Sequence, residues 1–148
     1  MTDTAKPTAS AIATPSPPVP DASELRRVIA DFLAMGHVDN VRAMFKQEPR
    51  YHSWTGLLLE DERLSVRLGL AVLYEYLLEE RPEELHRAIP SLALQLKSDQ
   101  ALLRGEAVNL LGIIGTREAL ELVATMTQDP SPQVVEVAAD ILECGEDA

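Results

Sequence analysis

The fold is decided by residues 99–142, DQALLRGEAVNLLGIIGTREALELVATMTQDPSPQVVEVAADIL. The segment states one pattern twice: an Asp, a short gap, an apolar anchor and then an Ala- and Leu-rich helix. A third copy lies upstream. Asp61 is followed by Val66, Arg67, Leu70 and Leu73; Asp99 by Leu103, Arg104, Ala107 and Leu110; Asp129 by Val134, Val135, Ala138 and Ile141. The anchors 66, 103 and 134 are 37 and 31 residues apart. A spacing in this range predicts stacked repeats, each burying its apolar face on the next. Small residues at 107 and 138 allow close helix approach, while Leu and Ile fill the seam. Each Asp is placed to accept backbone N–H groups at a helix start. The Arg that follows the anchor can reach an Asp in an adjacent turn.

Working outward, apolar residues recur at helical spacing and no stretch alternates as a half-buried strand does. Asp21 or Ser23 can cap a first helix carrying Leu25, Val28, Ile29, Phe32 and Leu33, and Gly36 ends it. The pattern predicts further helices over 38–47, 52–59, Asp61 to about Glu80, 83–97 after Pro82, and 100–114. Gly115 and Thr116 make a stop and a restart. A seventh helix reaches Gln128, and an eighth follows Pro132 and fades near Glu143. Short connections between such helices imply antiparallel neighbours, hence an all-α fold of about four helical hairpins.

Residues 89–115, IPSLALQLKSDQALLRGEAVNLLGIIG, resemble a HEAT repeat, with Pro90 as the first-helix proline, Asp99 in the turn and Arg104 after the anchor. Residues 110–123, LLGIIGTREALELV, resemble the short HEAT-like repeat of the phycobilisome lyase type. The resemblance covers residues 60–144 and departs at Val135, which stands where an Arg is expected, and in the turn after Asp99, which is one residue short. It implies a right-handed α-α superhelix with units at 51–81, 82–115 and 116–144, and an atypical capping hairpin at 23–50. It further implies a scaffold or adaptor whose second helices line a concave face. Fold likeness alone does not establish function.

The opposite side of the buried stripe then falls on Leu68, Val72, Glu75 and Glu79 in one unit, on Gly105, Asn109 and Gly112 in the next, and on Glu136, Asp140 and Glu143 in the last. Carboxylates flank a glycine notch, and a basic peptide or helix is the expected occupant; the same glycines also suit close helix packing. A secondary candidate surface is Tyr51, His52, Trp54 and Tyr74, since Trp and Tyr anchor binding hot spots. The same residues also suit the junction between a cap and regular repeats.

Composition limits the partner. The chain of 148 residues has a net charge of −11, with eight acids against three bases in 60–84 and eight against Arg117 alone in 116–148. Such a surface repels phosphate backbones and anionic lipid, so no nucleic acid and no membrane are expected. A basic or neutral protein partner remains, with a weak homo-oligomer through the last hairpin (Val134, Val135, Val137) as a further expectation. Residues 1–22, with five of ten prolines, predict a disordered tether. One cysteine, no long apolar run and no secretory leader make a cytoplasmic location the expectation.

No catalytic or metal constellation is found: His37, His52 and His86 stand singly, and no glycine-rich loop leads into Gly-Lys-Ser or Gly-Lys-Thr. The expectation is a noncatalytic interaction module with no cofactor. The alternative is an accessory component of an enzyme system, chromophore lyase-like or a regulatory subunit.

Overall fold

A computed structural model describes residues 21–147, all of them helix, turn or connection with no strand. Most of the segment assigned to a disordered tail lies outside these residues. Eight α-helices are present among them: α1 (Ala22–Ala34), α2 (Val38–Gln47), α3 (Thr55–Leu58), α4 (Leu64–Glu80), α5 (Ile89–Gln95), α6 (Ala101–Ile114), α7 (Arg117–Ala124) and α8 (Pro132–Asp147). Two 3-10 segments, Pro49–Trp54 and Pro82–Ala88, lead into α3 and α5.

Local chemistry sets several of the boundaries. Asp21 and Glu24 form a reciprocal cap on α1, at 2.8 and 3.3 Å. Gly115, at φ 67°, ends α6 in a left-handed conformation, and the Thr116 hydroxyl accepts from Ala119 N–H at 3.2 Å to restart the chain as α7. The helices expected over 52–59 and 83–97 are instead 3-10 at their starts and α only at their ends. Pro49 and Pro82 open these segments, Pro90 falls where a helical N–H has no partner, and tight i→i+3 turns close the remaining backbone groups. α7 stops at Ala124 rather than Gln128, and α8 continues to Asp147.

Asp61 and Asp129 each accept a backbone N–H just ahead of the following helix, and each also takes a guanidinium. Asp61 does not cap α4; its carboxylate accepts from the Arg63 backbone N–H at 3.0 Å and from the Arg63 guanidinium at 3.0 and 2.9 Å, ahead of the helix. Those hydrogen bonds hold its carboxyl below the usual range. Asp129 likewise accepts from Ser131 N–H at 2.9 Å, and it takes a two-pronged pair from Arg104 at 2.9 and 3.0 Å. Arg104 therefore spans from its own turn, where it donates to the Ser98 carbonyl at 2.9 Å, to the next one. Arg67 does not repeat this: it donates to the Asp61 carbonyl at 2.8 Å and lies 3.9 Å from Glu106.

The core follows the repeat register. Val66, Leu70, Leu73, Leu77, Ala107, Leu111 and Ala138 are fully buried, and each large aliphatic adds roughly 1.5–3 kcal/mol of burial. α4 packs on α6 and α6 on α8, α1 and α2 both pack on α4, and α7 packs on α6 and α8. The shorter row is joined by α3 on α5 and by the two 3-10 segments on each other. At the α3–α5 crossing Gly56 meets the Ser91 backbone so closely that no Cβ fits. Its N–H donates to the Ser91 hydroxyl at 2.9 Å, and its carbonyl accepts from buried Gln95 at 2.9 Å, so the backbone of this crossing is satisfied without water.

Candidate functional site

α4, α6 and α8 lie side by side, and the residues expected to share one face are mostly open to solvent. Leu68 is 56% exposed and Val72 40%. Glu75, Glu79, Asn109, Glu136, Asp140 and Glu143 are exposed as well. Singly exposed aliphatic side chains are ordinary on a folded surface, so these two matter only as part of a shared face.

The glycine notch survives at one position only. A Cβ on Gly105 would meet nothing nearer than Val134 Cγ2 at 3.8 Å. A Cβ on Gly112 would lie 2.5–3.1 Å from the Ile141 side chain. Gly112 is therefore a helix-packing residue, covered by α8, and the broad notch is corrected to an opening around Gly105. The physical reason is that Ile141 of α8 sits directly over Gly112, whereas Val134 of α8 stands at ordinary contact distance from Gly105.

Around Gly105 the cleft between α6 and α8 widens into an open groove of about 490 Å³, lined by Ala101, Leu102, Glu106, Asn109, Gln133, Val134 and Val137 among others. Leu102 is 54% exposed. Sequence reasoning missed Leu102, Glu106 and Gln133, and placed Val137 only on the edge expected to self-associate. Extending the exposed stripe one turn towards the N-terminus of α6 reaches 102 from 105, and this was the available signal. Glu106 is half-buried, and burial pushes its carboxyl up despite the opposing charge of Arg67. Among the described residues it accepts no hydrogen bond, and Arg67 Nε is also buried without a partner. Val134 is buried against α6, so the apolar edge expected to support self-association is reduced to the partly covered Val135 and Val137.

The aromatic candidate divides. Tyr74 and His52 are fully buried, which corrects their assignment as partner-binding residues. The Tyr74 hydroxyl lies 2.7 Å from both His52 Nδ1 and Thr55 Oγ1, while the His52 ring packs edge-on against Phe45 at 5.0 Å. Burial, then the charges of Arg87 and His86, push His52 down to about 4. Burial also raises the Tyr74 phenol. His52 is thus a neutral core side chain at neutral pH; Tyr74 satisfies its Nδ1, while Nε2 is buried with no hydrogen-bond partner among the described residues. Tyr51 and Trp54 stack at 4.9 Å and are half-buried, with Arg26 5.8 Å over the indole. Tyr76 instead faces out under Arg42, 4.6 Å from the ring centre.

Charge is divided along the chain. Residues 60–148 hold 18 of the 24 acids and 7 of the 13 bases, hence the whole net charge of −11, and residues 1–59 balance. Among the described residues no three His, Cys, Asp or Glu side chains converge as metal ligands, and no helix is long and apolar enough to cross a membrane. No protein-family model, curated protein or solved structure matches the chain.

Proposed function

We propose that this chain is a noncatalytic interaction module of the cytoplasm, a short right-handed superhelix of HEAT-like hairpins that binds a protein partner through the face of α4, α6 and α8. What supports the reading is the exposure of Leu68, Val72 and Leu102 together with Glu75, Glu79, Glu136 and Asp140 on α4, α6 and α8, which pack in series. Apolar groups supply affinity on losing water, and the acidic rim steers a basic or neutral partner towards them. An anionic partner meets repulsion from the same rim.

Affinity capture compares the wild-type chain with Glu75→Lys/Glu79→Lys, both checked for equal helicity. The expected result is loss of a specific partner whose capture also weakens with added salt. Identical capture by both proteins would move function away from this face.

A further inference from the structure

The groove between α6 and α8 combines an apolar floor with a half-buried carboxylate, Glu106. We infer that it receives a short amphipathic helix of a partner protein, with an apolar side chain over Gly105 between Leu102 and Val137 and a lysine or arginine one turn away on Glu106. This rests on the reading of the α4–α6–α8 face as a docking surface and names the chemistry of what docks there.

Gly105 leaves a side chain's worth of space, with Val134 as its nearest neighbour at 3.8 Å. Ala101, Leu102 and Val137 line the same groove, so an incoming Leu, Ile or Met would exchange water for aliphatic surface. Leu102 and Glu106 are four residues apart on α6, which places one apolar and one acidic group a helical turn from each other. A helix laid alongside would match them with residues three or four apart.

Glu106 supplies the second, independent observation. It lines the groove, has lost part of its water and accepts no hydrogen bond among the described residues. Arg67 donates through Nη1 to the Asp61 carbonyl, and its Nε lies 3.9 Å from Glu106, an ionic contact beyond hydrogen-bond distance. A carboxylate in this condition gains from a cation at hydrogen-bond distance, because a charge-assisted bond replaces the lost hydration. Glu136 and Asp140, exposed on α8, add to the negative field of this end of the molecule.

Charge also selects the occupant. A second copy of the chain would bring another half carrying −11 against this one. Residues 1–20 of the same chain contain Lys6 and Asp3, which cancel, so they offer the groove no net positive charge.

The test uses a displayed library of short helix-forming peptides selected on the full chain. Enriched sequences are then titrated as labelled peptides against the wild type, Gly105→Leu, Glu106→Gln and Glu75→Lys/Glu79→Lys. Leu at 105 occupies the groove while favouring the helix, and Gln at 106 preserves shape, so both variants keep their helicity. The expected consensus pairs an apolar residue with Arg or Lys three or four positions away. Affinity falls at least about tenfold in Gly105→Leu and roughly three- to tenfold in Glu106→Gln. Peptides that bind both groove variants unchanged but lose affinity for Glu75→Lys/Glu79→Lys would overturn the groove and leave the docking face standing. Peptides insensitive to all three variants, or no enrichment, would overturn both. Enrichment seen only after removal of residues 1–20, or a wild-type dimer abolished by Gly105→Leu, would give the groove to the chain itself and overturn a foreign helix.

Discussion

The two halves of the molecule close their cores by different chemistry. Residues 21–59, together with α4 and α5, bury polar groups and pair most of them: Tyr74 joins His52 Nδ1 to Thr55, and Ser91 and Gln95 satisfy the backbone of Gly56, while His52 Nε2 is left without a partner among the described residues. The α6–α7–α8 end closes with Val108, Leu110, Leu111, Val123 and Ala138, and leaves a groove at its surface. Residues 1–59 are balanced in charge; residues 60–148 carry all of the net charge. Buried polar networks tolerate little change because each member is left costly when a partner goes. The aliphatic end tolerates more, and it is there that an open surface can vary without loss of the fold.

The largest expected break in this contrast is Gly56→Ala. The new methyl would meet the Ser91 backbone, which cannot swing aside, so α3 and α5 must separate and both hydrogen bonds to Gly56 are strained. A loss of at least about 3 kcal/mol is expected in urea unfolding. Unchanged stability would remove the polar crossing from the account.

Next in size is the pH response of His52. Its folded value of about 4 lies below the ordinary 6.5, so the unfolded chain binds the proton more readily. The associated stability is complete above pH ~6.5 and is lost as the pH falls towards ~4, by up to roughly 3 kcal/mol. Asp61, Glu80 and Asp129, whose folded carboxyls are lowered by Arg63, Lys46 and Arg104, lose their contributions only below the usual carboxylate range. Unfolding curves at intervals between pH 7 and 4 should show a slope in the wild type that His52→Gln lacks. Parallel slopes would contradict a buried neutral imidazole.

The smallest effects separate two glycines on one helix. Gly112→Ala pushes on Ile141 and should destabilise by about 1–2 kcal/mol. Gly105→Ala meets only ordinary contact at 3.8 Å and should stabilise α6 by about 0.5–1 kcal/mol. Effects of equal sign in thermal or urea unfolding would erase the distinction between packing glycine and groove glycine.

Those glycines also show what the sequence makes legible. The apolar spacing of α4, α6 and α8 and the stop at Gly115 are written locally, in the helical period and in a residue free to adopt φ 67°, and the structure follows both. Which glycine is covered depends on Ile141, 29 residues from Gly112, and no local pattern encodes that contact. The same holds for His52, whose partner Tyr74 is 22 residues away. Asp61 was misplaced for a nearer reason: Arg63 competes for the carboxylate that would otherwise cap α4. Exposure of Leu68, Val72 and the acidic residues was legible from face periodicity; the groove was not, because it forms between two helices rather than on one.

The most direct measurement is a titration of the isotope-labelled full chain with a captured partner fragment, following backbone amide shifts. The account predicts movement centred on Leu68, Val72, Gly105, Glu106, Asn109 and Asp140, with the His52–Tyr74 core unmoved. Saturable shifts confined to Tyr51, Trp54 or the exposed Leu57 and Leu94 would contradict it and place the partner on the other row of helices.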